Sequence, residues 1–311
     1  MQTFDFGPAT FDLTSTFSLP ARSELSALGE TVQPNRQPSI FALLNPLVPI
    51  RTLWTHRQLL WKFTLRNVEM RHKGSVLGFA WAILNPLMML GLYLFVFGYI
   101  FGGSFHGESK WDYGLGIFLG LSIFHLVAES IAVAPNLITS NPNFVKKVVF
   151  PLEILPAAAV GAALIHMAIA LLMVLVGVLI GGHSVSWSAL NVLPIVLPII
   201  LLALGLAWTL SALGVFFRDI NQLVIAATTA LMFASAIFYP AARVIEKAAW
   251  AWPIIRLNPI LHAVEASRDV LIWSQPFPYT HVLYLQLAGL AAALIGFAAF
   301  SRCKRAFADV M

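Results

Sequence analysis

Residues 154–217 read ILPAAAVGAALIHMAIALLMVLVGVLIGGHSVSWSALNVLPIVLPIILLALGLAWTLSALGVFF, with no Asp, Glu, Lys or Arg between Glu153 and Arg218. A soluble domain cannot hide a charge-free run of this length, whereas a bilayer requires one: each crossing needs about 20 apolar residues to traverse about 30 Å of hydrocarbon. The run suffices for two crossings, and Gly181-Gly182-His183-Ser184, with Ser186 and Ser188, marks a turn between them. The whole chain agrees: 59% hydrophobic against 11% charged residues, with a mean hydropathy of +0.81, places it among polytopic membrane proteins.

Working outward, four more low-charge runs complete an expected six transmembrane helices. They are Val76–Phe101, ending at Gly102-Gly103, then Tyr113–Ala134, Ile220–Tyr239 and Val282–Phe300. The central pair is Ile154–Ile180 and Val192–Phe217. The six-span region covers residues 76–301. Lys and Arg set the sidedness, because cytoplasmic flanks hold the excess. Arg51, Arg57, Lys62, Arg66, Arg71 and Lys73 precede the first span, Lys146 and Lys147 follow the second, Arg218 follows the fourth, and Arg302, Lys304 and Arg305 close the chain. Both termini are therefore expected in the cytoplasm, with residues 302–311 as a cytoplasmic tail. Residues 1–50, rich in Ser, Thr, Pro and Asn, read as a flexible tail without a secretory signal. Cys303 has no cysteine to pair with and reads as an inert thiol.

Three segments outside the spans carry more functional information. Over residues 51–75, a helix at 100° per residue gathers Leu53, Trp54, Leu60, Trp61, Leu65 and Val68 on one face and Lys62, Arg66, Glu69 and Lys73 on the other. Arg57 and Arg71 interrupt the apolar face. Tryptophan opposite basic residues describes an amphipathic helix at the membrane interface. It is either a lipid anchor alone or one that also handles an anionic headgroup. Over residues 136–156, Asn143 is placed to cap a short helix that Pro151 stops. A helix that short needs a partner to hold it. Residues 240–279 are too charged to span and too apolar for a free loop. Ala241–Trp252 and Ile260–Trp273 read as two short re-entrant helices broken by Pro253 and Asn258-Pro259, the kind of backbone tolerated only beside protein or a water-filled cavity.

Several chemistries have no signature. No phosphate-binding Gly-x-x-x-x-Gly-Lys-Ser/Thr motif occurs, the histidines lack metal-ligand spacing, and no pair of carboxylates is placed for acid–base work. Neither a catalytic site, a resident cofactor, a metal nor a nucleic-acid partner is expected. His125 and His166 read as polar contacts on apolar helices. Glu129, the only formal charge well inside a span, is expected to snorkel or pair with Lys146 rather than serve a substrate. Tyr93, Phe97, Phe233 and Tyr239 crowd the ends of two spans, where aromatic residues form the interfacial belt or line a path for sugar.

Two motifs make the chain look familiar. Arg71-His72-Lys73-Gly74-Ser75-Val76-Leu77-Gly78 with Trp81…Asn85-Pro86-Leu87 is one, and Val145-Lys146-Lys147-Val148-Val149-Phe150-Pro151-Leu152-Glu153-Ile154-Leu155-Pro156 is the other. In both, from about Leu53 to the C-terminus, the chain resembles the membrane subunit of polysaccharide-exporting ABC transporters, the O-antigen, capsule and teichoic-acid permeases, and the O-antigen type most. Leu152 stands where Arg is common, and the tail before Arg51 is longer than usual for the family. The resemblance implies an all-α permease in the bacterial inner membrane, working as a homodimer with two ATP-binding subunits that hold ATP and Mg. It implies a polyprenyl-pyrophosphate-linked polysaccharide as substrate. Arg66, Arg71, His72 and Lys73 would hold the headgroup, with Leu77 and Gly78 shaping the adjacent loop. Asn143, Phe144, Val145, Lys146 and Lys147, within residues 137–148, would form the coupling helix. Residues 240–279 would gate the exit, and Tyr93, Phe97, Phe233 and Tyr239 would line the channel. A membrane enzyme acting on lipid-linked sugars would need a constellation that is not visible. A secondary transporter would show internal repeats.

Overall fold

The computed structural model describes residues 44–72, 77–105, 109–146, 150–183, 187–273 and 275–310. Most of the expected flexible tail, together with Lys73, Lys147 and Val148, lies outside the described residues.

Every element among the described residues is helical. α1 (Leu47–Thr55) and α2 (Arg57–His72) precede the membrane region. α3 (Trp81–Tyr93) runs on into a π-helical stretch, Leu94–Ile100, and forms the first candidate span. α4 (Lys110–Val133) starts at Ser109, whose Oγ accepts from the Asp112 amide at 3.1 Å. α5 (Pro142–Lys146) is one short turn, and α6 (Ile154–Ile180) and α7 (Leu193–Phe216) fill the charge-free run. α8 (Ile220–Ala234), α9 (Ala242–Lys247), α10 (Trp252–Ile255) and α11 (Pro259–Leu271) follow. α12 (Tyr279–Cys303) and α13 (Phe307–Val310) end the chain.

α4 is the hub, buried almost throughout from Asp112 to Ile131. α6 packs antiparallel to it: Trp111 Nε1 donates to the Gly177 carbonyl at 2.9 Å near one end, and Glu129 meets His166 at the other. α7 and α12 run parallel and very close, Pro198 beside Gly289 and Gly205 beside Gly296. A Cβ on Gly296 would overlap the Gly205 backbone, so the small residues set the helix separation.

Five of the expected six spans have helices of full length, and the fifth in chain order is shorter than expected. Five helices are long and apolar enough to cross a membrane, whereas α8 has only 15 residues. Ile220–Tyr239 does not form one helix, because the chain turns sharply at Ala236, whose φ is +51°. Carbonyls freed by that turn are taken up by Arg268 on α11, which donates to Ala236 O (2.8 Å), Ile237 O (2.5 Å) and Gly116 O (2.8 Å). Its guanidinium also lies 4.2 Å from the Phe105 ring centroid. Buried peptide carbonyls need donors, and this one side chain serves three from two segments.

Other boundaries shift for local reasons. α1 and α2 break at His56 instead of forming one helix. The packed side of α2 is Thr64 and Val68 with half-buried Leu60, Phe63 and Asn67, while Trp54, Trp61 and Leu65 face outward. α5 begins at Pro142, which suits a first helical position, so Asn143 lies inside the turn rather than capping it. Ala241–Trp252 divides into α9 and α10, because Ala248 leaves helical geometry. Asn258 caps α11 by accepting from the Ile260 amide at 3.0 Å and also donates to Ala234 O and Ser235 Oγ, tying α11 to the end of α8. The last residues fold back: Phe307 is buried against Phe300 and Phe216, and Lys304 donates to both Glu153 oxygens at 2.9 and 3.0 Å.

Candidate functional site

α2 packs along the first half of α6. Thr64 sits over Gly161, and Arg71 reaches His166, five residues or about 7.5 Å further along α6. Arg71 is thereby delivered to the wall of the membrane helices. Its Nη1 donates to Glu129 Oε2 at 2.6 Å and lies 2.8 Å from His166 Nδ1. His166 Nδ1 lies 3.0 Å from the same carboxylate oxygen. That nitrogen accepts from Arg71 in one tautomer and donates to Glu129 in the other. Glu129 therefore pairs with Arg71 and His166, not with the expected Lys146, which is exposed on α5. The short contact between opposite charges belongs to the stronger class of hydrogen bond.

The cluster forms one end of a cavity of about 650 Å³. Met70 from α2, Ala128 and Ala132 from α4, and Ala159, Ala162 and Ala163 from α6 make its walls apolar. Arg66, Asn67 and Asn141 add polar groups along the rest of the lining. Arg66 is exposed and its guanidinium lies 5.7 Å from the Phe63 ring centroid. The cavity thus has apolar walls with the Arg71–Glu129 ion pair and His166 at one end and Arg66 further along.

Among the residues expected to hold a headgroup, the structure brings Arg66 and Arg71 to this cavity. The His72 side chain and all of Lys73 lie outside the described residues. Leu77 is exposed, and Gly78, at φ +50°, opens the turn into α3; neither lines the cavity. Sequence reasoning missed Asn67, Asn141 and the joining of Glu129 and His166 to Arg71. The available signals were a single acid in one span and a single imidazole in another.

In the expected coupling segment, Asn143 and Lys146 are exposed and Val145 is half-buried. Phe144 turns inward, stacked on Phe150 at 4.6 Å and edge-on to Phe63 at 5.7 Å. The expected channel aromatics converge on Phe238: Phe97 stacks on it at 4.8 Å, and Tyr93 and Phe233 lie 5.7 and 6.1 Å away. The Tyr239 hydroxyl donates to the Phe233 carbonyl. No group of three or more His, Cys, Asp or Glu suited to a metal occurs among the described residues.

Long apolar helices beside an open, partly charged cavity define a polytopic helical membrane protein. The chain belongs to the ABC-2 type transporter family, whose model matches residues 58–272, from the start of α2 through the end of α11. It is 26% identical over 249 residues to the O-antigen export system permease protein RfbA of Klebsiella pneumoniae, covering 80% of this chain and 93% of that one. The RfbA permease of Myxococcus xanthus is 25% identical over 246 residues, with 79% and 92% covered. The polysialic acid transport protein KpsM of Escherichia coli is 27% identical over 242 residues, with 76% and 90% covered.

Proposed function

We propose that this chain is the membrane subunit of an ABC exporter that carries a polyprenyl-pyrophosphate-linked polysaccharide of the O-antigen type across the bacterial inner membrane. The observation that carries this reading is the Arg71 cluster at the end of an apolar-walled cavity. Arg71 can serve an anionic headgroup when Glu129 gives way, and Arg66 adds a second cation to the lining. The names of the relatives support the cargo class, and the KpsM relative keeps a capsule polysaccharide as a second reading.

The remaining parts follow. Arg71 and Arg66, with His72 and Lys73 nearby in sequence, receive the diphosphate at the cytoplasmic interface. Because α7 and α12 run parallel, the chain between them must return across the membrane, and α8 with the segment to Tyr239 makes that sixth crossing. Both termini then face the cytoplasm. α3 with its π-helical continuation and α8 leave Leu87, Met88, Leu92, Phe95, Leu223 and Phe233 exposed, apolar surface for lipid and for a second copy of the chain. Two copies enclose the channel beside the Phe238 aromatic cluster, and α9–α11 close its outer end. Two ATP-binding subunits, holding ATP and Mg, dock on the α5 segment and drive the movement. Phe144 gives that segment its stiffness by fixing it to α2 through Phe63.

The test is complementation. In a strain lacking its own O-antigen permease, the chain with its ATPase should restore surface glycan. Arg71→Ala should not, although the complex still assembles. Normal export by Arg71→Ala would remove the headgroup role.

A further inference from the structure

On the other side of the Arg71 cluster lies a second cavity of about 200 Å³. It shares Arg71, Glu129, Ala163 and His166 with the first. Trp81, Ala82, Asn85 and Pro86 of α3 form one wall, and Ser122 and His125 of α4 form the facing one. Along α4, the step from Glu129 to Ser122 is seven residues, or about 10 Å. The cavity therefore extends from the charged cluster into the middle of the span, away from α5.

Polar side chains at that depth are costly, and those present face protein or water rather than lipid. Here an indole, a carboxamide, a hydroxyl and an imidazole line one space. Pro86 adds to them. It stands inside α3 without an N–H, so it cannot donate to the Ala82 carbonyl one turn earlier, and both residues line the cavity. Asn85 is exposed, and no hydrogen bond fixes its amide among the described residues. Ser122 donates to Phe118 O at 2.7 Å, which leaves its oxygen as an acceptor. The Trp81 and Asn85-Pro86 motif thus has a place that the headgroup site does not explain.

We infer that this cavity is a saccharide subsite, which takes the sugar joined directly to the diphosphate held at Arg71. A sugar ring presents a C–H face suited to an aromatic plane and hydroxyls that both donate and accept. The lining supplies the plane and amide donors and acceptors. The volume suits one ring rather than a chain. This inference rests on the proposed function.

The test uses full-length protein, in complex with its ATPase, in lipid nanodiscs. Two probes are compared: citronellyl diphosphate, and the same molecule carrying one N-acetylglucosamine on the diphosphate. Wild type should bind the sugar-bearing probe about fivefold or more tightly than the plain one, the value of one or two net hydrogen bonds. Asn85→Ala and His125→Leu should each remove most of that preference while leaving the plain diphosphate unaffected. Arg71→Ala should weaken both probes. Equal binding of the two probes by wild type overturns the subsite alone, as does an equal loss for both probes in Asn85→Ala and His125→Leu. If wild type binds neither, or Arg71→Ala changes neither affinity, the headgroup reading fails and the subsite falls with it.

Discussion

Replacing Glu129 by glutamine keeps the side-chain shape and its contact with His166 but removes the charge opposing Arg71. At about 4 Å and an effective dielectric of about 20, a pair of unit charges attracts by about 4 kcal/mol. The Arg71 side chain is 49% exposed and Glu129 24%, so water screens much of that. A discounted value of roughly 1–2 kcal/mol sits just above the range for surface pairs. On the proposed headgroup role, an incoming diphosphate competes with Glu129 for the Arg71 guanidinium. With glutamine there, that competition ends, and binding of a short prenyl diphosphate should tighten by about 5- to 30-fold. Thermal stability should fall at the same time, because the Arg71 charge loses its partner. Fluorescence or calorimetric titration of the purified complex in nanodiscs, beside a melting curve, reads both effects. Unchanged or weaker binding in a folded Glu129→Gln protein would refute the idea that Glu129 competes with the headgroup for Arg71.

Three other substitutions probe the frame around the site. Gly296→Leu drives a side chain into the Gly205 backbone. It should destabilise the α7–α12 pair by about 1–3 kcal/mol or more, seen as a lower melting temperature in detergent. Arg268→Met leaves three buried carbonyls without their donor. A loss of about 3–5 kcal/mol is expected, with faster proteolysis of the Ser235–Tyr239 turn than of the α7–α12 pair. Phe144→Ala removes the ring that stacks on Phe150 and meets Phe63 edge-on. Co-purification with the ATPase should drop while the melting temperature of the isolated chain changes little; undiminished co-purification would misplace the coupling segment.

The long helices were legible because a bilayer leaves a strong imprint: the charge-free run between Glu153 and Arg218 became α6 and α7 within a residue or two. Hydropathy could not see the turn at Ala236, because Ile237, Phe238 and Tyr239 are as apolar as the helix before them. The packed side of α2 is hidden from hydropathy for a related reason. Hydrophobic periodicity marks the side away from water, which in a membrane need not be the side packed on protein, and Trp54 and Trp61 are exposed. Arg71 was identifiable as a basic residue on an apolar face. Its partners were not, since Glu129 and His166 lie 58 and 95 residues away in sequence and meet it only when α4 and α6 pack antiparallel beside α2. The nearer Lys146 looked the simpler partner, and helix direction decided against it.

Co-expression of the chain with its ABC ATPase, followed by purification and measurement of ATP turnover with and without a prenyl-diphosphate-linked sugar, tests the central claim most directly. The account expects one co-eluting complex whose ATP hydrolysis responds to the lipid-linked sugar, with the response lost in Arg71→Ala. A chain that purifies alone, or a complex whose turnover ignores the lipid-linked sugar, would contradict it.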